Sequence, residues 1–263
     1  MSVPIVRHTQ PWPDCYDPTP GRPVTLIARD LQTAEHLLPH THPFGQLTHT
    51  RDGVIRVTAA GSSWIVPPSR AVWIAPGVVH AVTVLQPTRL RPVRILADRT
   101  PFPGEDCRVL DVSTLLRELI HALEQLPPAE ASHRATLLSE LMLDELAASP
   151  ALPMRVPLPR DKRLAALCER LLDEPGAALT LADWARQAGA SERTLARLFE
   201  RELGMSFGQW RQQARLAHAA PLIARGMPLA RVAEELGYTS QSAFSHMFRK
   251  TFGCSPSAFF AQR

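Results

Sequence analysis

The sequence predicts an α+β chain of two domains, an N-terminal β-barrel with a helical pair and a C-terminal domain that is entirely helical. Three observations predict this division. Of the 25 prolines in the 263 residues, 21 precede residue 160. Residues 1–157 have a net charge of −1, whereas residues 158–263 have a net charge of +5. Residues 181–260 contain one sequence pattern twice. The basic C-terminal half is therefore expected to face a polyanion.

The composition excludes several classes of protein. Hydrophobic residues make up 45% of the chain, which is enough for real cores. No uninterrupted apolar run approaches the ~18 residues that a membrane span needs. Proline stands where a signal peptide would have its apolar segment, so we expect a cytoplasmic protein with no membrane partner. The four cysteines lie far apart without a CxxC pair, which excludes a zinc ribbon or a disulfide scaffold.

Residues 24–97 contain short runs rich in valine, isoleucine and tryptophan, separated by turn residues. The runs VTLIA, GVIRVTAA, SSWIVPP, AVWIAPG and HAVTVL occupy residues 24–28, 53–60, 62–68, 71–77 and 80–85. Short strands at this spacing are typical of an antiparallel sandwich or barrel. Prolines sit at the ends of the runs, where a missing N–H removes no ladder hydrogen bond. The sequence therefore predicts a small β-barrel.

Histidines are grouped inside this region. His40 and His42 are two residues apart, which in a strand places both side chains on the same face. Gln46 follows four residues after His42, and His80 closes the turn at residues 76–80. Converging imidazoles are typical of metal sites. The four residues are thus candidates for binding one divalent metal ion, or for lining an effector pocket that holds no metal.

The segments HTHPFGQL and PGVVH resemble the two cupin motifs, in which two histidines, an acidic residue and a later histidine bind a divalent metal. The resemblance implies a cupin-like barrel with His40, His42 and His80 as metal ligands. Gln46 occupies the position of the family's glutamate, and its amide is neutral and a weaker ligand. Three imidazoles and an amide can still hold zinc, iron or nickel. A metal-dependent cupin enzyme fused to a DNA-binding module is the alternative function, although no other catalytic pattern stands out.

Two amphipathic helices follow the barrel, at residues 111–126 and 132–149, with Asp111 or Ser113 as the first N-cap. They either pack back on the barrel or form a dimerisation face. The predicted domains are an N-terminal arm (1–23), the barrel with its helical pair (24–148), a proline-stiffened linker (149–160) and a DNA-binding domain (161–263). The arm either gates the barrel mouth or is a disordered terminus.

The repeated pattern occupies residues 181–210 and 229–260. Ala185 and Gly189 match Ala233 and Gly237 at an offset of 48 residues. After one inserted residue the offset is 49, and the further matching pairs are Ser191/Ser240, Leu195/Phe244, Phe199/Phe248, Gly204/Gly253 and Ser206/Ser255. Each copy combines a helix with a small residue at its crossing point, a glycine turn and a serine-capped second helix. This is the plan of a helix-turn-helix, whose second helix enters a DNA major groove.

The residues that face DNA are those that the predicted cores leave exposed. They are Arg193, Thr194, Ala196, Arg197 and Arg201 in the first copy, and Gln241, Ser242, Ser245, His246, Arg249 and Lys250 in the second. Arginine suits guanine and glutamine suits adenine. Arg201, Arg249 and Lys250 lie farther along their helices and are expected to meet phosphates. The alternative is that the exposed face of the second helix in each copy contacts only solvent and binds no DNA.

The stretches LADWARQAGASERTLARLF and RVAEELGYTSQSAFSHMFRKTFGCSP resemble the DNA-binding module of AraC/XylS-type transcription regulators. The resemblance covers residues 160–263, and the whole chain is similar to the subgroup with a cupin-like sensor. It implies two recognition helices, joined by a linker helix, in grooves roughly 34 Å apart. It also implies a homodimer on double-stranded promoter DNA that responds to a small-molecule or metal effector. We expect activation, through RNA polymerase, and no enzymatic activity.

The linker helix at residues 207–226 departs from the family pattern, because it contains Pro221. Proline has no N–H for the carbonyl of Ala217, and its ring clashes there. The sequence predicts a kink near residues 217–221.

Overall fold

A computed structural model of the chain describes residues 6–8, 16–127, 132–151, 156–224, 226–252 and 255–261. Contacts divide the chain into two compact units, residues 1–60 with 64–153, and residues 61–63 with 154–263. No helix in the described ranges is both long enough and apolar enough to span a bilayer.

The first unit is built from twelve described strands. They are β1 (Val6–His8), β2 (Val24–Leu26), β3 (Arg29–Leu31), β4 (Glu35–His40), β5 (Gly45–His49), β6 (Val54–Ala59), β7 (Ser62–Val66), β8 (Arg70–Ile74), β9 (His80–Gln86), β10 (Thr88–Leu90), β11 (Val93–Ile95) and β12 (Cys107–Asp111). Each predicted run contains a strand. Strands β1, β3 to β5 and β10 to β12 lie outside those runs, since their polar residues obscure the β pattern.

The strands form two principal sheets. One has the order β12-β8-β5-β11-β2, and the other contains the succession β1-β4-β9-β6-β7. Strand β1 pairs in parallel with β4 and belongs to the predicted N-terminal arm. The gate hypothesis concerns residues that lie mostly outside the described ranges. Within them, Asp17 forms an ion pair with the buried Arg94 at 2.5 Å, and the carbonyl of Tyr16 accepts a hydrogen bond from Thr25 at 2.6 Å.

The helical pair is α1 (Thr114–Glu124) and α2 (His133–Ala148). Ser113, one of the two predicted N-caps, accepts a hydrogen bond from the backbone N–H of Leu116 at 3.0 Å. One face of the pair packs on the five-stranded sheet, in a cluster that includes Leu47, Trp73, Val93, Leu116, Leu119, Ile120, Met142 and Leu146. The helices therefore do pack back on the sheet. Leu115, Leu137 and Leu141 remain 44%, 57% and 45% exposed on the pair.

From residue 156 onward, the described part of the second unit is helical apart from β13 (Val156–Pro157) and the connecting turns. Its helices are α3 (Lys162–Asp173), α4 (Leu181–Gln187), α5 (Glu192–Leu203), α6 (Phe207–Ala224), α7 (Leu229–Glu235), α8 (Gln241–Phe252) and α9 (Pro256–Ala261). The linker helix α6 is continuous, so Pro221 does not end it. The kink at this position stays a prediction.

Candidate nucleic-acid interface and effector site

The two copies of the repeat fold in the same way. Ala185 on α4 and Ala233 on α7 are both buried, at the positions where a small residue was predicted. Gly189 and Gly237 follow the two helices with φ of +61° and +70°, the left-handed region that glycine adopts without a steric penalty. In each turn an N–H reaches back five residues, from Ala190 to the Ala185 carbonyl at 2.9 Å and from Tyr238 to the Ala233 carbonyl at 2.8 Å. Both helices thus end in the same Schellman-type turn.

Serine caps then start α5 and α8. The Ser191 hydroxyl accepts a hydrogen bond from the Thr194 N–H, and the Ser240 hydroxyl accepts one from the Ala243 N–H, both at 3.1 Å. Helix α5 buries Leu195, Leu198 and Phe199, and α8 buries Phe244 and Phe248. Met247, three residues after Phe244 on the same face, is half-buried at the edge of the same cluster. Gly204 ends α5 with a φ of +67°, whereas Gly253 lies outside the described residues.

On each of the helices α5 and α8, the candidate DNA-contacting residues lie on the side away from the buried face. Nine are exposed, namely Arg193, Thr194, Arg197, Arg201, Gln241, Ser242, His246, Arg249 and Lys250, while Ala196 and Ser245 are half-buried. Within the described part of the chain, Arg193 and Arg197 form no ion pair, whereas Arg201 pairs with Glu202 at 3.1 Å. Arg193 and Arg197 are therefore available to an anionic or hydrogen-bonding ligand.

A further basic residue lies beside α5. Arg163 of α3, together with Arg197 and Arg201, lines an open groove of about 700 Å³. The sequence analysis did not include Arg163 among the candidate DNA-contacting residues, because Arg163 precedes the repeat. Its guanidinium pairs with Asp161 at 3.0 Å, and this hydrogen-bonded pairing holds the Asp161 pKa at about 2.

In the first unit, His40, His42 and His80 form a histidine cluster. Their ring centroids are 4.3 Å (His40–His80), 4.9 Å (His42–His80) and 6.0 Å (His40–His42) apart. One ligand nitrogen from each histidine lies within 4.8 Å of the others. The expectation that one strand carries both His40 and His42 is wrong, since β4 ends at His40 and His42 lies in the loop before β5. Pro43 follows His42 in that loop, and it has no N–H to continue a ladder.

Each histidine of the cluster is oriented by a backbone carbonyl. The Nδ1 atoms lie 2.7 Å from the Leu38 oxygen, 2.8 Å from the Phe44 oxygen and 3.1 Å from the Val78 oxygen, for His40, His42 and His80 respectively. These bonds place a proton on Nδ1 and leave a lone pair on Nε2. Burial lowers the pKa of His42 and brings the pKa of His80 to about 4. Both imidazoles are therefore neutral at pH 7.

The amide of Gln46 faces the Nε2 lone pairs of two histidines, and it can donate a hydrogen bond to only one of them. Gln46 Oε1 lies 3.1 Å from His42 Nε2, and Gln46 Nε2 lies 3.4 Å from His80 Nε2. In either orientation of the amide, its oxygen faces a histidine acceptor. The amide oxygen and the histidine nitrogen that it faces are both hydrogen-bond acceptors, and no proton lies between them. A cation or a ligand with a hydrogen-bond donor therefore fits between these two atoms. Neutral imidazole nitrogens with an amide oxygen form a donor set suited to zinc, nickel or iron.

These features define a class of protein, a DNA-binding regulator in which a two-copy helix-turn-helix module accompanies a β-rich ligand-binding domain. Two family models match the chain, "AraC-like ligand binding domain" over residues 23–147 and "Helix-turn-helix domain" over residues 184–262. The HTH-type transcriptional regulator NimR of Escherichia coli (strain K12) is 34% identical over 224 residues, which cover 85% of this chain and 82% of NimR. The chain belongs to the AraC family of transcriptional regulators.

Other relatives match shorter parts of the chain. RipA of Corynebacterium glutamicum is 34% identical over 103 residues, 39% of this chain and 31% of RipA. The arabinose operon regulatory protein of Escherichia coli is 33% identical over 103 residues, 38% of this chain and 35% of that protein. Among solved structures, ToxT from Vibrio cholerae has a TM-score of 0.39 at 12% identity, covering 90% of this chain and 97% of ToxT.

Proposed function

We propose that the protein activates transcription by reading a promoter sequence with α5 and α8, and that a divalent metal at the histidine cluster is its effector. The observation that supports promoter reading is the pair of serine-capped helices that each bury one face and expose a polar one. The DNA-contacting set comprises the eleven candidate residues on these two helices. Promoter binding would place the protein in the cytoplasm.

Arg197→Ala is expected to weaken binding to the specific site by roughly 1–3 kcal/mol, as for a lost bidentate contact to a base. The site is first recovered from a random duplex library with the wild-type protein. Affinity is then measured by fluorescence anisotropy on that site and on a scrambled duplex of equal length.

Arg201→Ala is the matched control on the same helix. Its loss should be similar on the specific and the scrambled duplex, because a phosphate contact carries no sequence information. If Arg197→Ala weakened both duplexes equally, Arg197 would be a phosphate contact and its proposed role in base reading would be wrong.

The metal proposal is supported by the acceptor conflict at Gln46 and by the carbonyl-oriented imidazoles. Plasma mass spectrometry on untagged protein should find about one equivalent of zinc, nickel or iron for each chain. His42→Ala should lose most of it, because a protein ligand to the metal is removed. His121→Ala, which changes an exposed histidine on α1, should keep it. Absence of metal from the wild type would contradict the proposal and favour an organic effector with a hydrogen-bond donor.

We also propose a homodimer through the exposed leucines of the helical pair. Leu137 and Leu141 are one turn apart on α2, and with Leu115 they leave apolar surface in water that a second copy would bury. The opposite face of the pair is already occupied by the sheet.

Leu137→Glu combined with Leu141→Glu is expected to convert the dimer to a monomer, because two charges would be buried without partners. Light scattering after gel filtration measures the mass. Thr136→Glu, on the same helix and exposed, is the control and should stay dimeric. A double variant that remained a dimer would show that another surface forms the interface.

Activation implies contact with RNA polymerase at the bound promoter. Transcription in vitro from that promoter should rise when the protein and its metal are added, whereas a fall would make the protein a repressor.

The enzyme alternative has weaker support, since the cluster contains an amide at the position where the cupin pattern has a carboxylate.

A further inference from the structure

Two arginines of the linker helix bind the loop that precedes the first helix-turn-helix. Arg211 and Arg215 lie one turn apart on α6, so both point to the same side of the helix. Arg211 donates to the carbonyls of Ala177 and Leu179, the latter at 3.2 Å, and Arg215 Nε donates to the carbonyl of Pro175 at 3.1 Å. These carbonyls belong to the segment between α3 and α4. We call Arg211, Arg215 and residues 175–179 the arginine brace.

The same loop touches the second helix-turn-helix directly. A Cβ on Gly237 would lie 2.8 Å from the Gly176 carbonyl oxygen and 2.7 Å from Arg215 Nη2, which is closer than real Cβ contacts come. A Cβ on Gly176 would overlap the Glu235 carbonyl oxygen. The guanidinium of Arg215 also lies 5.5 Å from the ring centroid of Tyr238. Backbone from the loop before the first copy therefore packs against backbone from the turn of the second copy.

Each copy is also packed on the linker helix. Trp210 is fully buried at the start of α6, with its ring centroid 6.1 Å from that of Phe199 on α5. Leu216 and Ala219, later in α6, belong to the cluster that contains Val232, Phe244 and Phe248. Through these contacts at Trp210, Leu216 and Ala219, the straightness of helix α6 sets the relative rotation of the two copies. The brace adds a second connection, which runs from α6 through the loop before α4 to the turn of the second copy.

We propose that the arginine brace fixes the separation and phase of the two recognition helices, and so determines which spacing of DNA half-sites the protein accepts. This inference rests on the proposed function, because it requires that α5 and α8 each read a half-site. Burial of both arginines lowers their pKa values, and the charge of Arg211 adds to that lowering at Arg215. Neither side chain is free to act as a DNA contact while it holds the loop carbonyls. Their role is to position the reading helices.

The test compares half-site spacing between variants of the full chain. Sites are selected from a random duplex library with the wild type, Arg211→Ala, Arg215→Ala and Arg231→Ala. Arg231 is an exposed residue of α7 that pairs with Glu234, and it is the control for loss of one positive charge near the second copy. Wild type and control should recover bipartite sites with one separation, about 10 base pairs between half-site centres.

The brace variants should recover a spread of separations or single half-sites. Their affinity for the wild-type site should fall at least tenfold, while their affinity for an isolated half-site changes less than twofold. Thermal melting checks that each variant is folded, and the two arginines provide independent variants if one is not. Folded brace variants that kept the single separation and an affinity within twofold of wild type would overturn the inference. A wild type that recovered no bipartite site would contradict the proposed function itself.

Discussion

Phe199→Ala should destabilise the C-terminal unit by about 3–5 kcal/mol, the range for removal of a buried aromatic ring. Phe199 is fully buried on α5, and its ring contacts Phe207 edge-on with centroids 5.4 Å apart. Alanine would leave a cavity beneath the first recognition helix. Because a domain of this size is stable by only about 5–15 kcal/mol, the loss would weaken DNA binding at 37 °C as well.

Chemical denaturation followed by circular dichroism measures this loss. Phe207→Ala is the matched control, since Phe207 is the same residue type and only half-buried, and it should cost less than half as much. Equal losses for the two variants would show that Phe199 is not the centre of this core.

Gly45→Ala is expected to destabilise the N-terminal unit by about 3 kcal/mol, at the upper end of the usual range for overpacking. A Cβ on Gly45 would lie 2.7 Å from Cζ2 and 2.8 Å from Cζ3 of Trp73. Trp73 is fully buried and held edge-on against Phe102, with ring centroids 5.7 Å apart, so it has little room to move. The added methyl group therefore has to displace the backbone of β5.

Gly21→Ala provides the comparison, because a Cβ there would meet no atom within 4 Å. Its thermal midpoint should match that of the wild type, whereas the Gly45→Ala midpoint should fall by several degrees. If the proposed metal site is correct, the same variant should bind less metal, since Gly45 and Gln46 are neighbours in β5. An unchanged midpoint for Gly45→Ala would mean that the Trp73 ring can shift without cost.

The burial of Phe199 could be predicted from the sequence, whereas the contact of Gly45 with Trp73 could not. The spacing of Leu195, Leu198 and Phe199 is a helical period, so the buried face of α5 follows from local order along the chain. The same holds for the glycine turns and serine caps of both copies. By contrast, nothing near Gly45 in the sequence indicates Trp73, since the two residues meet only through the pairing of β5 with β8. Strand pairing between residues far apart along the chain leaves little local signature in the sequence.

The sequence by itself determined the order of the two domains and the duplicated helix-turn-helix, and it predicted which side chains the two second helices leave exposed. These features depend on local periodicity and on residues whose backbone preferences are strong. Only the tertiary structure decided that His42 reaches the cluster from a loop, that Gln46 meets two lone pairs, and that Arg211 and Arg215 bind the 175–179 loop. Each of those contacts joins residues through folding in space, where distances and hydrogen-bond directions, rather than spacing along the chain, determine what a side chain can do.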